Sequence, residues 1–277
     1  MIFLVLMLLV LGFISSNVLI WWSMFLMMTI IFCFLSKSDL SYSSLINYFI
    51  IQETLGLFFL ILNFSLLQVL IVMMKVGIAP LHFWVFSVTN GLSSFMVMWF
   101  LTFQKMPFFP VLVQIFDYTL IVLLMLGIFL CFIQLFLLKG YKNMMIISST
   151  ESLNWILLML FFSMLDVIFL FMYYFFFMVF LMPYFSKKEG QFFNWELILV
   201  FMNIPMTVNF FIKIFSLFEL FKLDSVMVLF MLFLMFMTLI SLSIWLINLS
   251  TVISKKELNN NSVFYFMVLS LMVLMVI

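Results

Sequence analysis

The feature that most constrains this chain is a succession of apolar runs, most close to twenty residues, separated by short polar clusters. A helix needs ~20 apolar residues to cross the hydrocarbon core of a bilayer, so each run has the length of one crossing. Cutting at the polar clusters gives about eleven spans: 1–15, 17–35, 43–63, 65–85, 92–114, 118–138, 144–163, 167–185, 195–218, 226–249 and 262–277. A closed barrel is the other spanning solution, but its ~10-residue strands alternate polar and apolar positions. Runs such as 231–237 and 175–182 do not alternate. The expected fold is all-α: a polytopic transmembrane helix bundle forming a single membrane domain over 1–277, with the longest polar segment, 248–262, as a loop.

Composition excludes the soluble alternative, since 69% of residues are hydrophobic and 8% charged, far from the balance of water-soluble domains. The first run lacks a basic leader and a small-residue cleavage site, and no Arg/Ser-rich transit peptide precedes it, so the first helix is expected to be retained. Cys33 and Cys131 stand singly in apolar runs, and with one histidine in the chain no disulfide framework or metal site is expected. Forty-two Phe and 27 Met, with Ala79 as the one alanine and no arginine, show the bias of AT-rich codons, as in organelle genomes.

Charge placement gives a topology. Lys37, Lys139, Lys142, Lys187, Lys188, Lys255 and Lys256 follow spans 2, 6, 8 and 10, which lie on one face if there are eleven spans. Lys222 alone lies in a connection on the other. The positive-inside rule then puts the N-terminus on the basic side, cytosol or matrix, and the C-terminus opposite.

Five charges remain that loops cannot absorb: Glu53 in span 3, Lys75 in span 4, Lys105 in span 5, Glu151 in span 7 and Lys213 in span 9. A charge at bilayer depth costs ~2.5–3.5 kcal/mol on insertion scales and is by default a functional-site candidate. Burial disfavours the charged form and a nearby opposite charge restores it, so buried Lys and Glu can be poised to exchange protons. Alternating acids and bases at one depth, linked by water, form a lateral proton path. A snorkelling lysine, or a glutamate bonded to a neighbouring helix, explains any one of these charges more readily than all five. Glu196, Glu219, Asp117 and Asp166 lie at helix ends, where a solvated or capping role is expected.

Two spans carry breaks. Pro80 cannot donate to the carbonyl of Val76, and Gly77 loosens the same turn, so span 4 is expected to be interrupted just after Lys75. Pro205, among Asn203, Thr207 and Asn209, is expected to do the same to the span that carries Lys213. Paired broken helices point to inverted repeats around a midplane ion site. His82 follows the first break and has two open readings. It satisfies the freed backbone, or it relays protons, as a group with an unperturbed pKa of about 6.5 can.

Residues 74–91, MKVGIAPLHFWVFSVTNG, followed by 103–107, FQKMP, closely resemble the signature of the antiporter-like subunit 2 family of respiratory complex I. The match runs through Lys75, Gly77, Ala79-Pro80, His82-Phe83-Trp84, Thr89, Gly91 and Gln104-Lys105. Weaker similarity covers 138–155, with Lys142, Ser148, Ser149 and Trp155, and 203–213. The resemblance implies antiporter-like inverted repeats with two broken helices and a central axis of Lys and Glu. It also implies that the first three helices of the longer bacterial form are missing, consistent with eleven spans. It places the chain in the mitochondrial inner membrane, N-terminus in the matrix and C-terminus in the intermembrane space.

By the same resemblance Lys75 is the central proton-carrying lysine of the first broken helix, Lys105 the connecting lysine and Lys213 the lysine of the second broken helix. The family's key glutamate falls near Phe25, where this chain has no acid, and Glu53 is the candidate replacement. The family pattern has a histidine near Ser152 and a glycine near Asn154, where this chain offers Glu151. The implied function is proton translocation, as a membrane subunit of NADH:ubiquinone reductase. Loss or gain of charge on Glu53 would bias Lys75, which passes its proton toward Lys105, Glu151 and Lys213.

There is no Cys ladder, G-x-G-x-x-G or phosphate loop, so no cofactor is expected in this chain. Flavin, iron–sulfur clusters, NADH and ubiquinone are expected in other subunits. The expected partners are other membrane-arm and accessory subunits and the lipid bilayer, with no nucleic acid. Two rivals stand beside this reading. One is a free-standing sodium/proton antiporter or a larger antiporter-like subunit, which Gln104-Lys105 and the short chain disfavour. The other is a non-conducting membrane spacer, which the missing acid at Phe25 favours.

Overall fold

The computed structural model describes residues 1–37, 42–62, 64–137, 141–185, 208–221 and 225–253. Among these residues the chain is all-helical, with twelve α-helices, two single-turn 3-10 helices and no strand. The α-helices are α1 (Ile2–Ile14), α2 (Val18–Ser36), α3 (Tyr42–Ile61), α4 (Ser65–Val76), α5 (Phe83–Thr89), α6 (Ser94–Leu101), α7 (Phe108–Ile115), α8 (Ile121–Leu137), α9 (Tyr141–Leu158), α10 (Met164–Phe185), α11 (Val208–Leu220) and α12 (Ser225–Ile253). Val18–Ser36, Tyr42–Ile61 and Lys142–Phe161 are long and apolar enough to cross a bilayer. Large apolar side chains such as Ile30, Phe34 and Phe58 point outward, as lipid contact requires of a membrane protein. Two compact units divide the chain, one built mainly from Met1–Gly127 and the other from Ile128–Phe177 with the described part of Lys188–Ile277.

In the first unit, Asn17 starts α2 by accepting a hydrogen bond from the Leu19 N–H at 3.0 Å, which satisfies a donor the new helix cannot. The Trp21 indole N–H donates to the Ser15 carbonyl at 3.0 Å and fixes the corner with α1. Helices α2 and α3 then run antiparallel. Phe25 meets Phe59 at 5.3 Å between ring centroids, Thr29 meets Glu53, and Phe32 meets Tyr48 at 4.5 Å. Lipid tails are as apolar as leucine, so association rests on packing and on such polar rungs. Each aromatic pair adds ~0.5–1.5 kcal/mol beyond its buried area.

Helix α4 ends at Val76 because Gly77 takes the left-handed conformation, φ 73°, ψ 47°. Gly77 N–H bonds the Met74 carbonyl at 3.2 Å and Ile78 N–H the Met73 carbonyl at 3.0 Å, the paired closure of a Schellman motif. Met73 and Ile78, whose backbones close the motif, are both buried. The Ala79–Pro80 bond is cis, and the helical path resumes at Phe83. Two side chains serve carbonyls next to the break. Trp84 Nε1 donates to Met74 at 2.8 Å and Gln52 Nε2 donates to Lys75 at 3.0 Å.

Span 5, expected as one helix over 92–114, is two helices in the structure. The chain leaves the helical path from Thr102 to Pro107, so Lys105 lies in a turn and not in a helix. Pro107 has no N–H and disfavours helix at the residue before it. Thr102 Oγ1 donates to the Met98 carbonyl at 2.7 Å and closes the last turn of α6. Pro110 is tolerated within the first turn of α7, where its missing N–H had no helical partner. It packs on Gly12 of α1, and Gln114 Nε2 donates to the Gly12 carbonyl at 2.9 Å.

In the second unit α9 packs against α11 and is buried along nearly its whole length. Its hydroxyl residues Ser148, Ser149, Thr150 and Ser152 each donate to the carbonyl three residues earlier, so this polar stretch stays helical. Asp166 accepts from Ser163 in the first turn of α10, where an acid suits the helix dipole. Glu219, for which a solvated or capping role is expected, is buried at the end of α11. Pro205, Asn203, Thr207, Glu196, the span 262–277 and the lysines other than Lys37, Lys75, Lys105, Lys142 and Lys213 lie outside the described residues.

Candidate functional site

Lys75 occupies the last turn of α4 and is 3% exposed. At a helix C-terminus its charge faces the partial negative charge of the terminal carbonyls. Its Nζ stands 4.9 Å from the centroid of the Phe25 ring, a cation–π contact worth about 2 kcal/mol when desolvated. Among the described residues no acceptor reaches Nζ and no ion pair within 4.0 Å includes it. Glu53 lies on the neighbouring α3 and makes no direct ion pair with Lys75. Glu53 is half-buried on α3, and Thr29 Oγ1 donates to its Oε1 at 3.0 Å.

Phe25, near which the resemblance places the family's acid, is fully buried. Its ring stacks on Phe108 at 4.8 Å and 22° and takes Phe59 edge-on at 5.3 Å. Lys75 therefore rests over an aromatic stack, and the acid stands one helix away.

His82 is buried just before α5, its ring stacked on Phe83 at 5.1 Å and edge-on to Phe86 at 5.6 Å. Its carbonyl accepts from Val85 N–H at 3.0 Å. Trp84 and Gln52 serve the Met74 and Lys75 carbonyls, one of the two roles open to His82 in the sequence. Lys105 is buried in its turn, and the neighbouring Gln104 Nε2 donates to the Tyr48 hydroxyl at 2.6 Å, which ties that turn to α3.

In the second unit two of the five charges meet directly. Lys213 of α11 pairs with Glu151 of α9, both side chains fully buried. Trp155, one turn beyond Glu151, lies with its ring centroid 5.8 Å from Lys213 Nζ and its Nε1 3.4 Å from Glu151 Oε1. Cys131 Sγ lies 3.7 Å from Thr150 Oγ1, so its thiol is packed into this polar layer.

Trp22, Tyr48 and Gln52 were not singled out in the sequence, whereas Gln104 was, beside Lys105 in the family motif. The glutamines left a trace as uncharged polar residues within apolar runs. The tryptophan and tyrosine left none in a chain that is 21% aromatic.

No family model matches the chain. A relative from Ascaris suum, named NADH-ubiquinone oxidoreductase chain 2, is 55% identical over 268 residues, covering 97% of this chain and 89% of the relative. The chain belongs to the NADH-ubiquinone oxidoreductase chain 2 family. A Caenorhabditis elegans member of that name is 52% identical across 96% of this chain and 95% of its own length. A mouse chain 2 is 39% identical over 77 residues, 28% of this chain and 21% of the mouse protein. In this chain 2 sequence, four of the five span charges fall into two centres: Lys75 with Phe25 and Glu53, and Glu151 with Lys213.

Proposed function

We propose that this chain is a proton-translocating membrane subunit of NADH-ubiquinone oxidoreductase in the mitochondrial inner membrane, N-terminus in the matrix and C-terminus in the intermembrane space. The observation that carries the reading is the Lys75 ammonium, buried at a helix break over an aromatic ring with no acceptor on it. A lysine whose only function is packing or snorkelling has no reason to be held there. The charge on Glu53 biases the proton affinity of Lys75, and the proton moves through water toward Lys105 and on to the Glu151–Lys213 centre. Antiporter-like inverted repeats organise these centres. Flavin, iron–sulfur, nicotinamide and quinone chemistry belongs to other subunits, and this chain contacts membrane-arm and accessory neighbours and lipid.

Lys75→Met keeps the length and apolar stem of the side chain and removes its charge. In the assembled complex it is expected to lower protons moved per NADH oxidised severalfold, while NADH oxidation by an artificial electron acceptor persists. Proton yield equal to the parent's would overturn the assignment and favour the spacer. Failure of the chain to copurify with NADH dehydrogenase activity would favour the free antiporter.

A further inference from the structure

Two N–H donors converge on Gly56 of α3. A β-carbon there would lie 3.3 Å from Lys75 Nζ and 3.5 Å from Trp22 Nε1. Neither nitrogen has an acceptor among the described residues, and Trp22 Nε1 is buried. A buried indole N–H without a partner is destabilising, and a buried ammonium more so. Donors converging with no acceptor between them ask for a small group with lone pairs. Glu53 lies three residues before Gly56, hence on the same face of α3 and about 4.5 Å away along the helix axis. Thr29 occupies its Oε1.

We propose that the groove between α2 and α3 at Gly56 binds one water that accepts from Lys75 and Trp22 and donates toward Glu53. The inference rests on the proton-transfer reading and names the link that direct contact does not provide. A water needs two to four polar partners to be held in a buried site, and these three suffice. In the transfer step the O–H bond of protonated Glu53 breaks and its proton joins the water oxygen, while a proton of that water passes to the neutral Lys75 amine. Glutamate and lysine end charged, the water is regenerated, and Lys75 holds the proton that moves on toward Lys105. Gly56 and Trp22 are then positioning residues. Gly56 leaves room for the ammonium and the water, and Trp22 holds the water in line.

The test measures protons moved per NADH oxidised, and the pH profile of that yield, in assembled complexes carrying Trp22→Phe, Gly56→Ala or Lys75→Met. Trp22→Phe keeps an aromatic ring and removes the N–H. It is expected to lower the yield per assembled complex severalfold and to displace the pH profile. Gly56→Ala, whose methyl presses on Nζ, is expected to act in the same direction. An unchanged yield and pH profile in Trp22→Phe, with Lys75→Met impaired, overturns the water site and leaves the proton-transfer reading standing. If Trp22→Phe changes only the amount of assembled complex and not the yield per complex, the site is likewise overturned. An unimpaired Lys75→Met removes the parent reading and this inference with it.

Discussion

Glu151→Gln is expected to deplete the assembled subunit far more than an ordinary core substitution. Glu151 and Lys213 are both fully buried, and each provides the other's counter-charge. Removing one partner of such a pair leaves a buried charge uncompensated, at a cost of about 3–5 kcal/mol. That is a large fraction of the ~5–15 kcal/mol that stabilises a typical domain. The Glu151→Gln, Lys213→Met double variant removes both charges, and replacing a whole buried pair by neutral groups is often close to neutral for stability. Subunit abundance on native gels is therefore expected to fall in the single variant and recover in the double. Proton yield per complex stays low in both. A single variant as abundant as the parent would show that the pair contributes nothing to stability.

Gly77→Ala carries the second large effect. The residue sits at φ 73°, where a non-glycine residue costs roughly 1–2 kcal/mol. Its β-carbon would also press into Val85 Cγ2. Overpacking of that kind costs about 1–3 kcal/mol, so a total of roughly 2–5 kcal/mol is expected. Gly77→Ala with Val85→Ala relieves the clash and leaves the backbone strain, so only part of the lost thermal stability is expected to return. Because Lys75 is two residues away, proton yield is expected to fall in Gly77→Ala even in the complexes that assemble. Full recovery in the double variant would assign the whole effect to the clash and none to the left-handed turn.

The helical membrane architecture was legible because run length and absence of alternation are properties of each segment alone. The interruption after Lys75 was legible for the same reason, since Gly77 and Pro80 act within one turn. The interruption at Thr102–Pro107 was not. Gln104 and Lys105 stand between apolar flanks long enough for 92–114 to read as one run, and the turn depends on Thr102 bonding back to Met98 together with the stop at Pro107. The sequence also said nothing of which charges meet. Glu151 and Lys213 lie 62 residues apart, and their pairing is set by the packing of α9 on α11. Phe25 was visible only as a departure from a family pattern. As one of 42 phenylalanines it gave no hint that its ring lies under an ammonium.

The stack of Phe25 on Phe108 beneath Lys75 has a bearing on how this centre responds to its surroundings. A carboxylate in that place would titrate, and its attraction for the ammonium would switch off whenever it took up a proton. A benzene ring has no proton to gain or lose, and its quadrupole attracts the ammonium equally at every pH. Around Lys75 the constant and the adjustable parts of the field are thus carried by different helices, α2 for the first and α3 for the second. Evolution can tune Glu53 and its neighbours without disturbing the floor on which the lysine rests.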